Sequence, residues 1–100
     1  MERFVEFEIH EYMDMYPRTE VRTWKGDDED SIEQDAKSWA TAMNQNYSGG
    51  TTRFVSVMTA EDAKNYLNEQ IIKEKADWQE DSQEYIDKIT NLYNKCYGEA

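Results

Sequence analysis

Residues 60–97 constrain the fold most. Both ends of this segment carry helical periodicity, and the KEKADWQEDSQE that joins them has neither Gly nor Pro. Ala63, Leu67 and Ile71 form one apolar stripe, with Trp78 farther on. Tyr85, Ile89, Leu92 and Cys96 form a second, joined by Ile86 and Tyr93. A single helix over this span would be about 57 Å long. A chain of 100 residues folds as one domain with a radius of gyration of roughly 13 Å. An unbroken helix would therefore have to project or pair. Asp81 followed by Glu84 offers a capping box, so the spacing predicts a bend or short break near 77–81. Thr59 with Asp62 predicts the start of the first of the two helices.

Upstream, FVEFEIHEYM (4–13) alternates. Val5, Phe7 and Ile9 face one way and Glu6, Glu8 and His10 the other, the mark of a half-buried strand. MYPRTE (15–20) reads as a turn, with Pro17 fixing φ, and EVRTW (20–24) as the antiparallel return strand. Lys25-Gly26 breaks that strand. A helix follows, with Ile32, Ala36, Trp39, Ala40, Met43 and Tyr47 on one face. Ser31 with Gln34, or Asp30 with Glu33, supplies its capping box, and Gly49-Gly50 its stop. TRFVSVMT (52–59) predicts a third strand, with Val55 and Val57 on one face and Phe54 and Met58 on the other. Apolar residues on both faces suggest a central strand. The expected architecture is α+β, in the order ββαβα(α), with a small antiparallel three-stranded sheet packed with two or three helices over a single domain, 1–100.

The charge is as distinctive as the pattern. Net charge is −11. Acids outnumber bases 12 to 5 in residues 1–50 and 10 to 6 in residues 51–100, so the excess is global and denser in the first half. Such a field repels nucleic acid and anionic membrane and attracts basic surfaces. Lys and Arg are scattered, which argues further against direct nucleic-acid binding. The plain alternative is that acidity serves solubility alone. MERFVEFEIH lacks the apolar core of a secretory signal, and no stretch is long and apolar enough to span a membrane. A single Cys excludes an internal disulfide and fits a reducing compartment. The expected location is the cytoplasm of a host cell. The sequon Asn46-Tyr47-Ser48 is then a chance match.

Six carboxylates fall in the nine positions from Asp27 to Asp35: Asp27, Asp28, Glu29, Asp30, Glu33 and Asp35. A calcium loop counted from Asp27 needs Gly sixth and Glu twelfth, but Ile32 and Ser38 stand there. Carboxylates at a helix start are favoured by the helix dipole. One or two would suffice, and the surplus repels itself, which points to a cationic partner. Glu6 and Glu8 share a strand face about 6.6–6.8 Å apart and could stand in for phosphates, although one solvated face is ordinary for an antiparallel sheet. Asp77, Glu80, Asp81, Glu84 and Asp87 form a second negative patch with no base among them. Elsewhere on the late helices, pairs such as Glu69–Lys73 and Glu84–Lys88 read as ordinary one-turn ion pairs.

Little supports catalysis. His10 is the only histidine and Cys96 the only cysteine, so a Cys–His pair would be a coincidence of folding. Structural zinc needs several Cys and His ligands. A magnesium site would have only the abundance of acids behind it, and no cofactor or metal is expected. There is no GxGxxG or P-loop, and a glycosidase cleft needs a larger chain. Most aromatics, among them Trp24, Trp39, Trp78, Tyr12, Tyr16, Tyr47, Tyr66 and Tyr85, fall on core stripes. One or two are expected to be exposed interface anchors.

In size and charge, though over no defined stretch, the chain resembles the small acidic inhibitors that phages and other mobile elements encode against CRISPR and restriction enzymes. That resemblance implies a non-enzymatic protein that blocks a basic, nucleic-acid-binding nuclease or effector by nucleic-acid mimicry or steric occlusion. The contacts would be Asp27, Asp28, Glu29, Asp30, Glu33 and Asp35, seconded by Glu6, Glu8 or the Asp77–Asp87 patch. Two other readings stand beside it: an accessory protein that homodimerises through residues 60–97, and an immunity protein against a basic toxin.

Overall fold

The computed structural model describes residues 1–11, 15–46 and 50–98. Strands β1 (Glu2–Glu11) and β2 (Arg18–Lys25), helix α1 (Glu29–Asn46), strand β3 (Gly50–Val57) and helices α2 (Ala60–Ala76) and α3 (Ser82–Tyr97) follow in that order. The fold is α+β, with one three-stranded antiparallel sheet and three helices. Two units divide the chain, residues 1–57 and 58–100. Among the described residues, no helix is long and apolar enough to cross a membrane.

In the first unit the strand order is β2-β1-β3. The first strand is therefore the central one and β3 lies at an edge, the reverse of what the apolar content of 52–59 suggests. The reason is local. Phe7 pairs with Phe54 and Glu6 with Ser56, so Val55 is an extra residue, a bulge. A bulge changes the parity of the strand. Phe54 and Val57, expected on opposite faces, both pack on the core of Val5, Phe7, Ile32, Ala36 and Ala40. Strict alternation fails at that one residue.

The core is aromatic at its centre. Phe7 is fully buried, with ring centroids of Trp39 at 4.9 Å, Trp24 at 5.8 Å and Phe54 at 6.3 Å. Tilted and edge-on arrangements of this kind add to the stabilisation from buried area. Ile32, Ala36 and Ala40 from α1 close over it as the helical spacing predicts, with Trp39 half-buried. Met43 is exposed at the margin of the stripe. Residue Tyr47 and the stop residue Gly49 lie outside the described residues, as do Tyr12 and the sequon's Ser48. Gly50 begins β3, where a Cβ would collide with the backbone carbonyl of His10. On the opposite sheet face Phe4 is buried as well, so that face is not wholly solvated.

The second unit is an αα-hairpin. Its break falls at 77–81, where the length argument predicts it. Thr59 caps α2, its Oγ1 accepting from Asp62 N–H at 3.1 Å. The expected cap of α3 is not formed: Asp81 makes no side-chain cap bond. Ser82, fully buried, does the work. Its Oγ accepts from Gln79 N–H at 2.8 Å and donates to Glu74 at 3.2 Å, tying the turn to the last part of α2. Tyr85 to Gln70, Lys64 over Tyr93 and Tyr97 to Met58 then run down the antiparallel pair. Ala63, Leu67, Ile86, Ile89 and Cys96 are buried. Trp78 sits in the turn rather than on the α2 stripe and is exposed.

Candidate acidic docking face

The acidic stretch begins where β2 ends. Gly26 continues the strand pairing, its N–H donating to Met1 O at 3.0 Å while Met1 N donates to Gly26 O at 2.9 Å. A Cβ on Gly26 would come 2.8 Å from Ile32 Cγ1, so glycine lets the loop close against a fully buried isoleucine. The charged residues around Ile32 are thereby fixed to the core.

Neither predicted capping box forms at α1. Asp28 is the cap: its Oδ1 accepts from Ser31 N–H at 2.8 Å, and its carbonyl accepts from Ile32 N–H at 3.1 Å. The Ser31 N–H, and after it the Ser31 hydroxyl, hold the Asp28 carboxyl below the ordinary carboxylate value. The cap lies one turn earlier than the nearest Ser-x-x-Gln because the helix begins at Glu29.

The remaining five acids divide into two groups. Glu29 meets Arg3 at 3.3 Å and Glu33 meets Lys37 at 3.5 Å, both on the surface. Asp27, Asp30 and Asp35 are exposed, and among the described residues no ion pair reaches them. Glu29, Asp30 and Glu33 line one wall of a groove of about 270 Å³ whose other wall is Val55, Ser56 and Val57 of β3.

Within the first unit, Glu6 and Glu8 do not join this cluster. The side chains of Glu6 and Glu8 lie on the sheet face opposite α1, because their neighbours Val5 and Phe7 point into the α1 core. Glu8 pairs with Arg53 at 3.2 Å, a cross-strand partner that halves the proposed phosphate-like pair. Asp77, Glu80, Asp81 and Glu84 are exposed around the α2–α3 turn of the second unit. Partial burial first, and then Glu74, push the Tyr85 phenol up beside that turn. Among the described residues, no ion pair joins Glu69 to Lys73 or Glu84 to Lys88. On a solvated helix face water competes for both partners.

His10 is exposed on β1, while Cys96 is buried in α3. Among the described residues, no group of three or more His, Cys, Asp or Glu is placed to hold a metal ion. A second cavity, about 170 Å³, is lined by Ile9, Glu20, Arg22, Trp39 and Met43 among others. Its arginines are engaged: Arg22 meets Glu20 at 2.8 Å and lies 4.9 Å from the Trp39 ring centre, and Arg18 meets Glu11 at 2.9 Å.

Sequence reasoning missed Arg3, Arg53 and Asn44. Asn44, on α1, donates its Nδ2–H to Thr52 O at 2.8 Å and accepts from Thr52 N–H at 2.6 Å. Nothing in the helical pattern distinguishes that residue from any exposed polar position. No protein-family model, no curated protein and no solved structure matches the chain.

Proposed function

We propose that this protein is a non-enzymatic binding protein whose acidic α1 start docks on a basic, nucleic-acid-binding partner and blocks it. A nuclease or effector of the sort targeted by small acidic inhibitors from mobile elements fits that description. The observation that carries the reading is the state of the 27–35 carboxylates: anchored beside buried Ile32, exposed apart from half-buried Glu33, and, at Asp27, Asp30 and Asp35, met by no base among the described residues. Like charges held together at a helix start repel one another, and a cationic partner relieves that repulsion. Long-range attraction raises the association rate, and apolar anchors at the contact set the residence time. An immunity protein against a basic toxin would use the same chemistry.

The test starts with a partner recovered by pull-down at low salt. Nucleic acid should compete with this protein for it. A partner that holds both at once contradicts the blocking mechanism.

A second reading, homodimerisation through residues 60–97, is favoured by the exposure of Ile72 (69%) and Trp78 (55%). Solution mass separates the two. A dimer independent of concentration, with no basic partner recovered, favours the second.

A further inference from the structure

We infer that β2 pairs antiparallel with β2 of a second copy of this chain, about a two-fold axis at Val21. This goes beyond the docking reading and uses none of its carboxylates.

The end of the ladder fixes which way the backbone of β2 points. Met1 and Gly26 exchange both their hydrogen bonds, and the β1–β2 register continues from there without a shift. Bonded and non-bonded pairs alternate along an antiparallel ladder. Trp24, Arg22, Glu20 and Arg18 therefore bond to β1. Thr19, Val21, Thr23 and Lys25 turn their N–H and C=O groups outward. Among the described residues, no hydrogen bond reaches those outward groups. Helix α1 does not line this edge. It packs chiefly on β3, at the other side of β1, where Asn44 holds Thr52. On the β2 side a cavity of about 170 Å³ opens between Arg18, Glu20 and Arg22 and the Trp39 and Met43 of α1. Thr19, Arg22 and Lys25 are exposed. The strand has neither a proline nor a bulge, two devices that protect an edge from pairing.

Charge identifies the occupant. β2 holds three bases and one acid in a chain of net charge −11. Arg18, Glu20, Arg22 and Trp24 share one face, opposite Ile9, Phe7, Val5 and Arg3 of β1. Outward groups must meet outward groups, so a two-fold axis falls on a residue and not between two. An axis at Glu20 sets Glu20 against itself and Arg18 against Arg22. An axis at Arg22 sets Arg22 against itself. At Thr19 it brings Val21 to Pro17, which has no N–H, and at Thr23 it leaves Glu20 opposite Gly26. Only at Val21 does Glu20 meet Arg22 of the copy, twice over by symmetry, while Arg18 meets Trp24 and Thr19 meets Thr23. The Glu20–Arg22 and Arg18–Trp24 pairs are of the non-bonded kind, in which side chains approach most closely. Opposite charges, Arg over Trp and Thr beside Thr each favour the pairing. Glu20 already holds Arg22 of its own strand at 2.8 Å, and a carboxylate has acceptor sites for a second guanidinium. A uniformly acidic strand would oppose Glu20, and a uniformly basic one would oppose Arg18 and Arg22.

Sedimentation velocity and NMR amide exchange on the full chain test this, at about 0.15 M salt, where charges more than about 8 Å apart are largely screened. The expected result is a dimer that grows with concentration. As it forms, exchange should slow at Thr19, Val21 and Thr23 and stay unchanged at Glu20 and Arg22, which already bond to β1. Glu20→Arg should weaken the dimer about tenfold or more, because two cross-strand pairs turn repulsive, and adding Arg22→Glu should restore it to within about threefold. The exchange pattern of the parent protein keeps the test decisive even if a variant fails to fold. A chain still monomeric at about 1 mM, where even weak contacts associate, overturns the proposal. So does a dimer whose slowed amides lie in 60–97. A dimer indifferent to Glu20→Arg overturns the axis at Val21.

Discussion

The two acidic stretches, 27–35 and 77–87, look alike in sequence and are built differently. At 27–35 a carboxylate shapes the backbone: Asp28 caps α1 and Ile32 buries the stretch's one large apolar side chain. At 77–87 no carboxylate takes that role. Asp81 stands at the cap position without a cap bond, and the Ser82 hydroxyl orders the turn instead. Arg3 and Lys37 reach into the first stretch, and among the described residues no ion pair reaches Asp77, Glu80, Asp81 or Glu84 in the second. Acid density alone therefore does not reveal what a carboxylate does. Its anchor does.

Four substitutions sharpen or break that contrast. The largest effect belongs to Ile32→Ala, which should cost about 2–5 kcal/mol in denaturant unfolding. A loss far smaller would mean that burial does not hold the first stretch. Next is Ser82→Ala, expected to cost about 1–3 kcal/mol, because the Gln79 N–H and the Glu74 carboxylate lose their partner. A Tm equal to that of the parent protein would remove Ser82 as the organiser of the turn.

Asp28 gives a smaller, pH-dependent signature. Its folded pKa lies below its ordinary value of 3.8, so the unfolded state binds the proton more readily. The stabilisation is present above pH 3.8 and fades as pH falls through the folded pKa. Asp28→Asn keeps a cap acceptor and should flatten that acid limb of the stability curve, leaving neutral-pH stability nearly unchanged. An identical acid limb in both proteins would contradict the cap assignment. Last comes Asp81→Ala, which should leave Tm where it was. A clear drop would show that the two stretches are built alike after all.

Much of this fold is legible from residue spacing. Alternation in 4–11, the Ile32–Ala36–Ala40 stripe, the Thr59 cap and the break at 77–81 all follow from periodicity and length. Three features do not. The bulge at Val55 carries no Gly or other local mark, and it alone decides that Phe54 and Val57 share a face. β3 lies at an edge because of how strands pair, which apolar content does not encode. The caps at Asp28 and Ser82 were displaced from the expected boxes by one or a few residues, since several Asp and Ser within one turn compete for the same role. For the candidate site, the sequence places the charges at a helix start. It is silent on their partners, because Arg3 lies 26 residues from Glu29 and Arg53 lies 45 from Glu8.

Association kinetics test the central claim most directly. With the recovered basic partner, the rate should fall roughly tenfold or more as ionic strength rises from about 0.05 to about 0.5 M. Replacing Asp27, Asp30 and Asp35 together by Asn should slow the reaction at low salt and shrink that dependence, while the same treatment of Asp77, Glu80 and Asp81 should do less. A rate indifferent to salt, or unaltered by neutralising the first stretch, would contradict the account.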